Sequence, residues 1–297
     1  MGCCCSKRYF EEENGTIGYR LINGRRYHTL SESAYFGAND DEEAYRLSRY
    51  HDAIKEIWGG LFNSPVEEKL SNGARVIDIG CGSGIWILDM AQRYPKSKFV
   101  GIDISPILPT ENLPPNVKFI QYNVLDGIPC EDSSFDLVHQ KFLVGAYTES
   151  QWEEKVIPEI IRLARPDGWI ELLEGDIIIS NGSVTQRVAR ALHDFMKSRG
   201  LYANIGKEVP RMLERTNAFS EIRNQHKIIK LGKKHGKSSE ETLRFFTSGL
   251  TSSRAGLSAW MNVIPEHYDA LVETVSIEAE KYSTQFDQYR VCAHKKI

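Results

Sequence analysis

Three alternating glycines, with an acid two residues ahead of the first, are the residues of this 297-residue chain whose spacing best predicts chemistry. Asp78 precedes Gly80, Gly82 and Gly84, and the apolar residues around Asp78 indicate a buried strand that ends in a tight turn. Glycine lets the backbone approach a ligand closely, and the helix predicted after the turn offers unpaired N–H groups. A strand, a glycine turn and a helix in this order predict a site for a nucleotide-sized ligand.

The spacing within the turn then excludes two common phosphate-binding motifs. The dinucleotide fingerprint G-x-G-x-x-G needs a third glycine where this chain has Ile85. A P-loop needs Gly-Lys-Ser/Thr after the turn, and none follows. A carboxylate just before the turn suits a ligand that carries a positive amino group and no phosphate.

This pattern resembles the first motif of the class I S-adenosylmethionine-dependent methyltransferases. Asp103 ends a second predicted strand and matches the family's acid that accepts hydrogen bonds from a ribose. Asn123 stands where the family commonly has Asp, and its carbonyl can accept a bond from the adenine amino group. The resemblance implies that S-adenosyl-L-methionine is the cofactor and that Ile104 lies against its adenine. The cofactor-binding residues that it implies are Asp78, Gly80, Cys81, Gly82, Gly84, Asp103, Ile104, Asn123, Val124 and Gln140.

The elements that position these residues are predicted to be alternating strands and helices. Five predicted strands alternate with helices between residues 76 and 174, which indicates a parallel sheet covered on both faces. Two later strand patterns lie at 221–231 and 285–294. The resemblance implies an α/β fold with a Rossmann-like, doubly wound, seven-stranded sheet, mostly parallel with an antiparallel last strand.

A second resemblance lies upstream of the glycine turn. Residues 38–51 are similar to the P-N-D-x-x-E-x-x-R-L-x-x-x-H segment of fungal methyltransferases, a group that includes the velvet-complex regulators of secondary metabolism. Because an N-terminal helix shapes the acceptor pocket in many class I enzymes, Tyr45, Arg46 and His51 are acceptor-pocket candidates. The alternative is a solvated helix with a buried apolar face. Lys141 is a further pocket candidate, and together with Gln140 it is expected near the methionine part of the cofactor.

Methyl transfer from a sulfonium needs little chemistry from the protein. It is an in-line displacement with a good leaving group, so orientation and exclusion of water supply much of the acceleration. A general base is needed only for a poorly ionised hydroxyl or thiol acceptor. The candidate bases are Glu174, His139 and His193. Packing under the sheet is the commoner role for a residue such as His139, as is a core position for His193, so none receives a firm assignment.

The N-terminus carries a separate signal. Its first residues match the N-myristoylation pattern at Gly2, and Cys3, Cys4 and Cys5 offer palmitoylation sites for the second anchor that stable attachment needs. We therefore expect a cytoplasmic protein attached to a membrane face, with an unmodified tail as the alternative. Three adjacent cysteines without a fourth ligand make a poor metal site, so no metal is expected. The other cysteines show no paired spacing and no signal peptide precedes them, which favours a reducing compartment.

The length and charge of the chain limit the classes of protein that it can belong to. A net charge of −3 argues against a nucleic-acid polyelectrolyte, and no apolar run is long enough to span a bilayer. The expected organisation is a disordered, lipidated tail at 1–18, a helical cap at 19–70 and a methyltransferase domain at 71–297. The expected function is methyl transfer to a small molecule or a protein side chain. Two alternatives stay open: a cofactor-binding regulatory or scaffold protein with weak catalysis, and an NAD-binding oxidoreductase.

Overall fold

The computed structural model of the chain describes residues 19–22, 24–28, 38–105, 107–109 and 111–297. The predicted lipidated tail, with Gly2, Cys3, Cys4 and Cys5, lies outside these residues. Within the described ranges, no helix is both long and apolar enough to cross a membrane.

A mixed sheet forms the centre of the fold, and a separate antiparallel pair, β1 and β2, precedes it. In space the main strands run β5-β4-β3-β6-β7-β10-β9, and the two-residue β8 pairs with the start of β10. The strands are β1 (Tyr19–Ile22), β2 (Arg25–His28), β3 (Arg75–Ile79), β4 (Lys98–Asp103), β5 (Val117–Gln121), β6 (Phe135–Lys141), β7 (Ala164–Gly175), β8 (Ile179–Ser180), β9 (Phe219–Lys230) and β10 (Thr284–Lys295).

This sheet confirms the predicted α/β architecture, mostly parallel with an antiparallel last strand. The strands from β5 to β7 are parallel, and β10 runs antiparallel to both β7 and β9. Two details differ from expectation. The antiparallel strand lies inside the row, between β7 and β9, and the very short β8 makes an eighth strand that has no sequence pattern of its own.

Helices cover both faces of the sheet and form a further cluster beyond its end. One core lies between the sheet and α5 and α7, a second lies beside α2 and α3, and a third joins α6, α8 and α10. A π-helical turn at Trp152–Val156 connects α4 to α5. The helices are α1 (Asp41–Trp58), α2 (Glu67–Asn72), α3 (Ile85–Arg93), α4 (Glu149–Gln151), α5 (Ile157–Leu163), α6 (Ser183–Ser198), α7 (Ile205–Arg215), α8 (Lys237–Ser252), α9 (Arg254–Trp260) and α10 (Pro265–Lys281).

Helix α1 lies over the sheet because polar side chains on its inner face find buried partners there. The Trp58 indole donates to the Gln288 side-chain oxygen at 2.8 Å, and the Gln288 amide donates to the Tyr50 hydroxyl at 2.5 Å. At its start, the Asp40 side chain caps the helix by accepting from the Glu43 amide at 3.1 Å. A buried polar group without a partner lowers the free energy of unfolding. These hydrogen bonds therefore favour one position of α1 against β10.

The loop after α1 is held by the buried carboxylate of Glu171 on β7. Its oxygens accept from the amides of Asn63 and Ser64 and from the Ser64 hydroxyl, at 2.7–3.1 Å. The buried guanidinium of Arg290 lies 3.5 Å away and supplies the opposite charge. Glu171 therefore joins the entry segment of the chain to the centre of the sheet.

We expect Glu171→Ala to lower the free energy of unfolding by about 3–5 kcal/mol, because it leaves a buried arginine and two amides without their acceptor. Urea unfolding followed by circular dichroism measures the loss. The matched control is Glu221→Ala, which breaks an exposed pair with Arg223 and should barely move the midpoint. Equal shifts for the two variants would contradict the assigned role.

Candidate cofactor and acceptor site

The glycine turn between β3 and α3 has a left-handed backbone at all three glycines. Their φ angles are 65° at Gly80, 57° at Gly82 and 73° at Gly84, a region that other residues rarely adopt. Gly80 and Gly82 line a cavity, whereas Gly84 packs inside the protein. A Cβ at Gly84 would lie 2.4 Å from the Phe119 ring, so this glycine permits the close approach of β5 to the turn.

The carboxylate of Asp103 holds the turn in place. One oxygen accepts from the Gly82 amide at 2.7 Å and the other accepts from the Ser105 amide at 2.8 Å. Burial raises the pKa of Asp103, and these two hydrogen bonds oppose that effect. Asp103 also lines the cavity, beside Ile104. The end of β4 therefore presents a carboxylate and an apolar side chain to the same space.

Asn123 lines the next part of the cavity wall, followed by Val124. The Asn123 side-chain oxygen accepts from the Leu125 amide at 3.1 Å and so begins a short 3₁₀ turn, Val124–Asp126. An amide oxygen has a second lone pair, which leaves it able to accept from a ligand.

One continuous cavity of about 470 Å³ extends from the glycine turn to the space between α6 and α8. This volume is typical of small-molecule sites, which range from about 300 to 1,000 Å³. The end away from the turn, here called the acceptor chamber, is mainly apolar. Its side chains include Ile177, Leu192, Met196, Phe245, Phe246 and Leu250. Sequence analysis missed these residues, because apolar positions on α6 and α8 carry the same pattern whether they face a core or a cavity.

Charged residues enter the cavity from α1 and from the end of β6. Arg46 makes a two-bond ion pair with Glu43 at 2.5 and 2.9 Å, and its guanidinium lies 4.3 Å from the centre of the Phe245 ring. Nε2 of the buried His51 lies 3.1 Å from the Asp89 carboxylate. Burial lowers the pKa of His51, and the neighbouring Lys141 charge adds to that effect. Of the four predicted pocket candidates, Arg46, His51 and Lys141 line the cavity.

Comparisons with known proteins agree with this geometry. Residues 76–168 match a family model described as a methyltransferase domain. Methyltransferase str2 of Strobilurus tenacellus is 30% identical over 202 residues, which cover 65% of this chain and 70% of that protein. The chain belongs to the class I S-adenosylmethionine-dependent methyltransferases. S-adenosyl-L-methionine is therefore the cofactor of this methyltransferase.

This methyltransferase is also similar to a curated regulator and to a solved structure. The secondary metabolism regulator laeA of Monascus pilosus is 36% identical over 157 residues, which cover 52% of this chain and 41% of that protein. Phosphoethanolamine N-methyltransferase 2 of Haemonchus contortus, a solved structure, superposes with a TM-score of 0.51 at 16% identity. That match covers 92% of this chain and 62% of the other chain, and at this identity it supports the fold alone.

Two residues of the predicted site lie beneath the cavity of the methyltransferase rather than in its wall. Nδ1 of His139 lies 2.7 Å from the Asp78 carboxylate, and both residues are 1% exposed. The His139 ring stacks on Trp86 with 3.8 Å between ring centres. Neither Asp78 nor His139 lines the cavity. The structure therefore corrects the expectation that Asp78 faces the ligand's amino group, and it removes His139 as a candidate base.

Two other candidates lie on outer surfaces. Tyr45 is 64% exposed on the outer side of α1, with the Arg49 guanidinium 5.9 Å from its ring centre. His193 is partly exposed on α6, with Nδ1 3.1 Å from the Asp194 carboxylate. Residues one turn away share a helix face, and the residues one turn from Tyr45 (Glu42 and Arg49) and from His193 (Arg190 and Lys197) are exposed as well. Tyr45 is thus not a pocket residue, and His193 is not a candidate base.

Glu174 and Gln140 are fully buried behind the cavity wall. The Glu174 carboxyl accepts from the Leu143 amide at 2.9 Å, and Leu143 lines the cavity beside Gly80. Neither Glu174 nor Gln140 lines the cavity itself. Glu174 is therefore a positioning residue for the loop after β6, and its place behind the wall does not favour its candidacy as a base.

Glu174 gives the methyltransferase a pH-dependent stability. Burial raises its pKa to about 8 from an ordinary value of 4.5, so the folded protein keeps a proton that the unfolded chain loses. Between these two values the free energy of unfolding falls as pH rises, by up to about 1.4 kcal/mol per pH unit from this group. Glu174→Gln should flatten that part of the profile in urea unfolding at several pH values. The exposed Glu154→Gln should leave the slope as in wild type, and an unchanged slope in Glu174→Gln would contradict the assignment.

Proposed function

We propose that this methyltransferase is an active enzyme whose methyl acceptor is a small, largely apolar molecule. The observation that carries the proposal is the continuity of the cavity, from the glycine turn to the acceptor chamber. Helices α1, α6 and α8 contribute side chains to its wall, including aromatic rings. A wall of this kind suits a compact apolar molecule better than an extended polypeptide, which needs an open groove.

The residues at the turn fit the cofactor that the family uses. Gly80 and Gly82 let the backbone approach the ligand, and Asp103 offers carboxylate oxygens for a ribose. Ile104 and Val124 supply apolar contact for an adenine, and Asn123 supplies an amide for its amino group. When bound, the cofactor offers a sulfonium methyl whose carbon takes an electron pair from the acceptor heteroatom, while the pair of the broken C–S bond returns to sulfur.

The chain's own contribution is orientation and exclusion of water. Apolar side chains around the chamber keep the acceptor's surroundings dry, and α1 covers the turn from above. Holding two reactants in line can supply about 7–11 kcal/mol of a barrier, so no acid–base residue is required for an acceptor that is already nucleophilic. A proton on the acceptor heteroatom leaves to water after the transfer.

A second candidate function is regulation without significant turnover. The likeness to the secondary metabolism regulator laeA, at 36% identity, favours it. Both candidates share the cofactor site and differ in whether a methyl group leaves it. Incubation of the purified protein with methyl-labelled cofactor and separated lysate fractions decides between them. Label in the small-molecule fraction is expected, label in protein would contradict the acceptor class, and no transfer to any fraction would support the regulator.

The acceptor chamber can be blocked from Gly249 on α8. A Cβ at this position would lie 3.7 Å from the Arg46 guanidinium, an ordinary contact, so a side chain fits the helix. We expect Gly249→Leu to fill the chamber and lower methyl transfer about tenfold or more, with S-adenosylhomocysteine binding changed less than about twofold. Gly249→Ala is the matched control, with near-normal transfer. Full activity in Gly249→Leu would place the acceptor elsewhere.

We further propose that lipid on Gly2 and on Cys3, Cys4 or Cys5 attaches the protein to a cytoplasmic membrane face. The support is the sequence pattern, since one acyl chain binds a membrane only reversibly and these cysteines offer a second. Gly2→Ala should move the protein from the membrane to the soluble fraction in cell fractionation. A Thr16→Ala control, in the same tail but outside the acylation pattern, should leave the protein at the membrane. Wild type found in the soluble fraction would end this proposal.

A further inference from the structure

We propose that Lys141 and His51 together form a subsite for the carboxylate of the cofactor's methionine part, between α1 and the glycine turn. The inference rests on the proposed cofactor site and assigns two of its residues. Lys141 reaches the cavity from the end of β6, and His51 reaches it from α1. Two basic side chains from different elements thus face one space.

Lys141 is a half-buried cation that forms no ion pair with the described residues. Among the residues described, no carboxylate oxygen lies within 4.0 Å of its ammonium. The acid with the strongest effect on it is Asp78, which bonds to His139 through Oδ1 and forms no ion pair with Lys141, although its Oδ2 has no hydrogen-bond partner. Burial lowers the pKa of Lys141, which is the expected response of a charge removed from water without a partner. A carboxylate in the cavity would offset this cost.

His51 offers the second nitrogen of the subsite. Its Nε2 lies 3.1 Å from the Asp89 carboxylate, and Nδ1 has no hydrogen-bond partner in the described part of the chain. Lys55 Nζ donates to the same Asp89 oxygen at 2.7 Å, so the charge of Asp89 is balanced without His51. An imidazole held at Nε2 and open at Nδ1 can donate to an anion when it is protonated.

The charges around the pair favour an anion over a cation. Helix α3 contributes Asp89, which is paired with Lys55, and strand β3 contributes Asp78, whose Oδ1 is bonded to His139. Cys81 stays a neutral thiol because burial raises its pKa well above the ordinary value. Asp103, the remaining acid, is bonded to the amides of Gly82 and Ser105. Each of these acids has at least one bonded oxygen, none forms an ion pair with Lys141, and the Arg290 charge lowers the pKa of Lys141 further, so an anionic ligand would be stabilised there.

A carboxylate held in this way would join α1 to the sheet. Helix α1 already touches the turn where the hydroxyls of Ser48 and Ser83 lie 3.2 Å apart and where Leu47 packs over Gly82. A ligand bonded to both His51 and Lys141 adds a charged link between the same two elements. The negative group would also raise the pKa of His51, which burial lowers, so binding takes up protons at a pH where free His51 is neutral.

Calorimetry with two ligands tests the subsite. S-adenosylhomocysteine carries the amino-acid carboxylate, whereas 5′-methylthioadenosine shares the adenosine part and lacks it. Lys141→Met should weaken S-adenosylhomocysteine about tenfold or more and leave 5′-methylthioadenosine within about twofold. Asp103→Ala should weaken both ligands, because both contain the ribose. The control Lys98→Met removes an exposed lysine from the far end of β4 and should change neither affinity.

A second readout isolates His51. Binding enthalpies measured near pH 6 in buffers of different ionisation enthalpy should show proton uptake with S-adenosylhomocysteine and none with 5′-methylthioadenosine. His51→Gln should abolish the uptake. If Lys141→Met weakens both ligands equally, or neither, the subsite is overturned while the cofactor site stands. If wild type binds neither ligand, the proposed function itself fails and the subsite falls with it.

Discussion

The hydrogen bond from the Gly82 amide to the Asp103 carboxylate is the interaction on which the site depends. It joins the end of β4 to the turn that follows β3, and the left-handed glycines make the amide available for it. The Cys81 amide also donates to the Ile102 carbonyl at 3.0 Å, so two hydrogen bonds tie the turn to the neighbouring strand. The same carboxylate lies in the cavity wall, so one side chain serves both the backbone geometry and the ligand surface.

The second constraint is the position of α1 against the sheet. Its inner face is held by a buried chain of side chains, Trp58 to Gln288 to Tyr50, and its following loop by Glu171. These bonds reach β7 and β10, strands that are far apart in sequence from the helix. The position of α1 completes the cavity, since residues from α1 form the part of its wall that lies over the glycine turn. Cofactor and acceptor parts of the cavity therefore share one wall.

Ionisable groups beneath the cavity and in its wall divide into two kinds. Asp78 with His139 and Glu171 with Arg290 are paired beneath the surface and hold elements together. Lys141 and His51 face the cavity, and Lys141 has no acid within ion-pair distance in the described ranges. A charge removed from water without a partner costs free energy. We therefore assign a structural role to the first kind and a ligand-binding role to the second.

The sequence by itself determined the strand–turn–helix of residues 75–93, the succession of parallel strands along the chain and the presence of two late strands. These follow from local signals: apolar runs, glycines that permit a left-handed backbone, and spacing. The confirmed family and cofactor rest on the same signals. Tertiary structure decided which way the side chains point. Asp78 and His139 bond to each other, Tyr45 faces outward, and apolar residues of α6 and α8 line a chamber. Such outcomes depend on contacts between residues far apart in the chain, and periodicity alone cannot separate a core from a cavity.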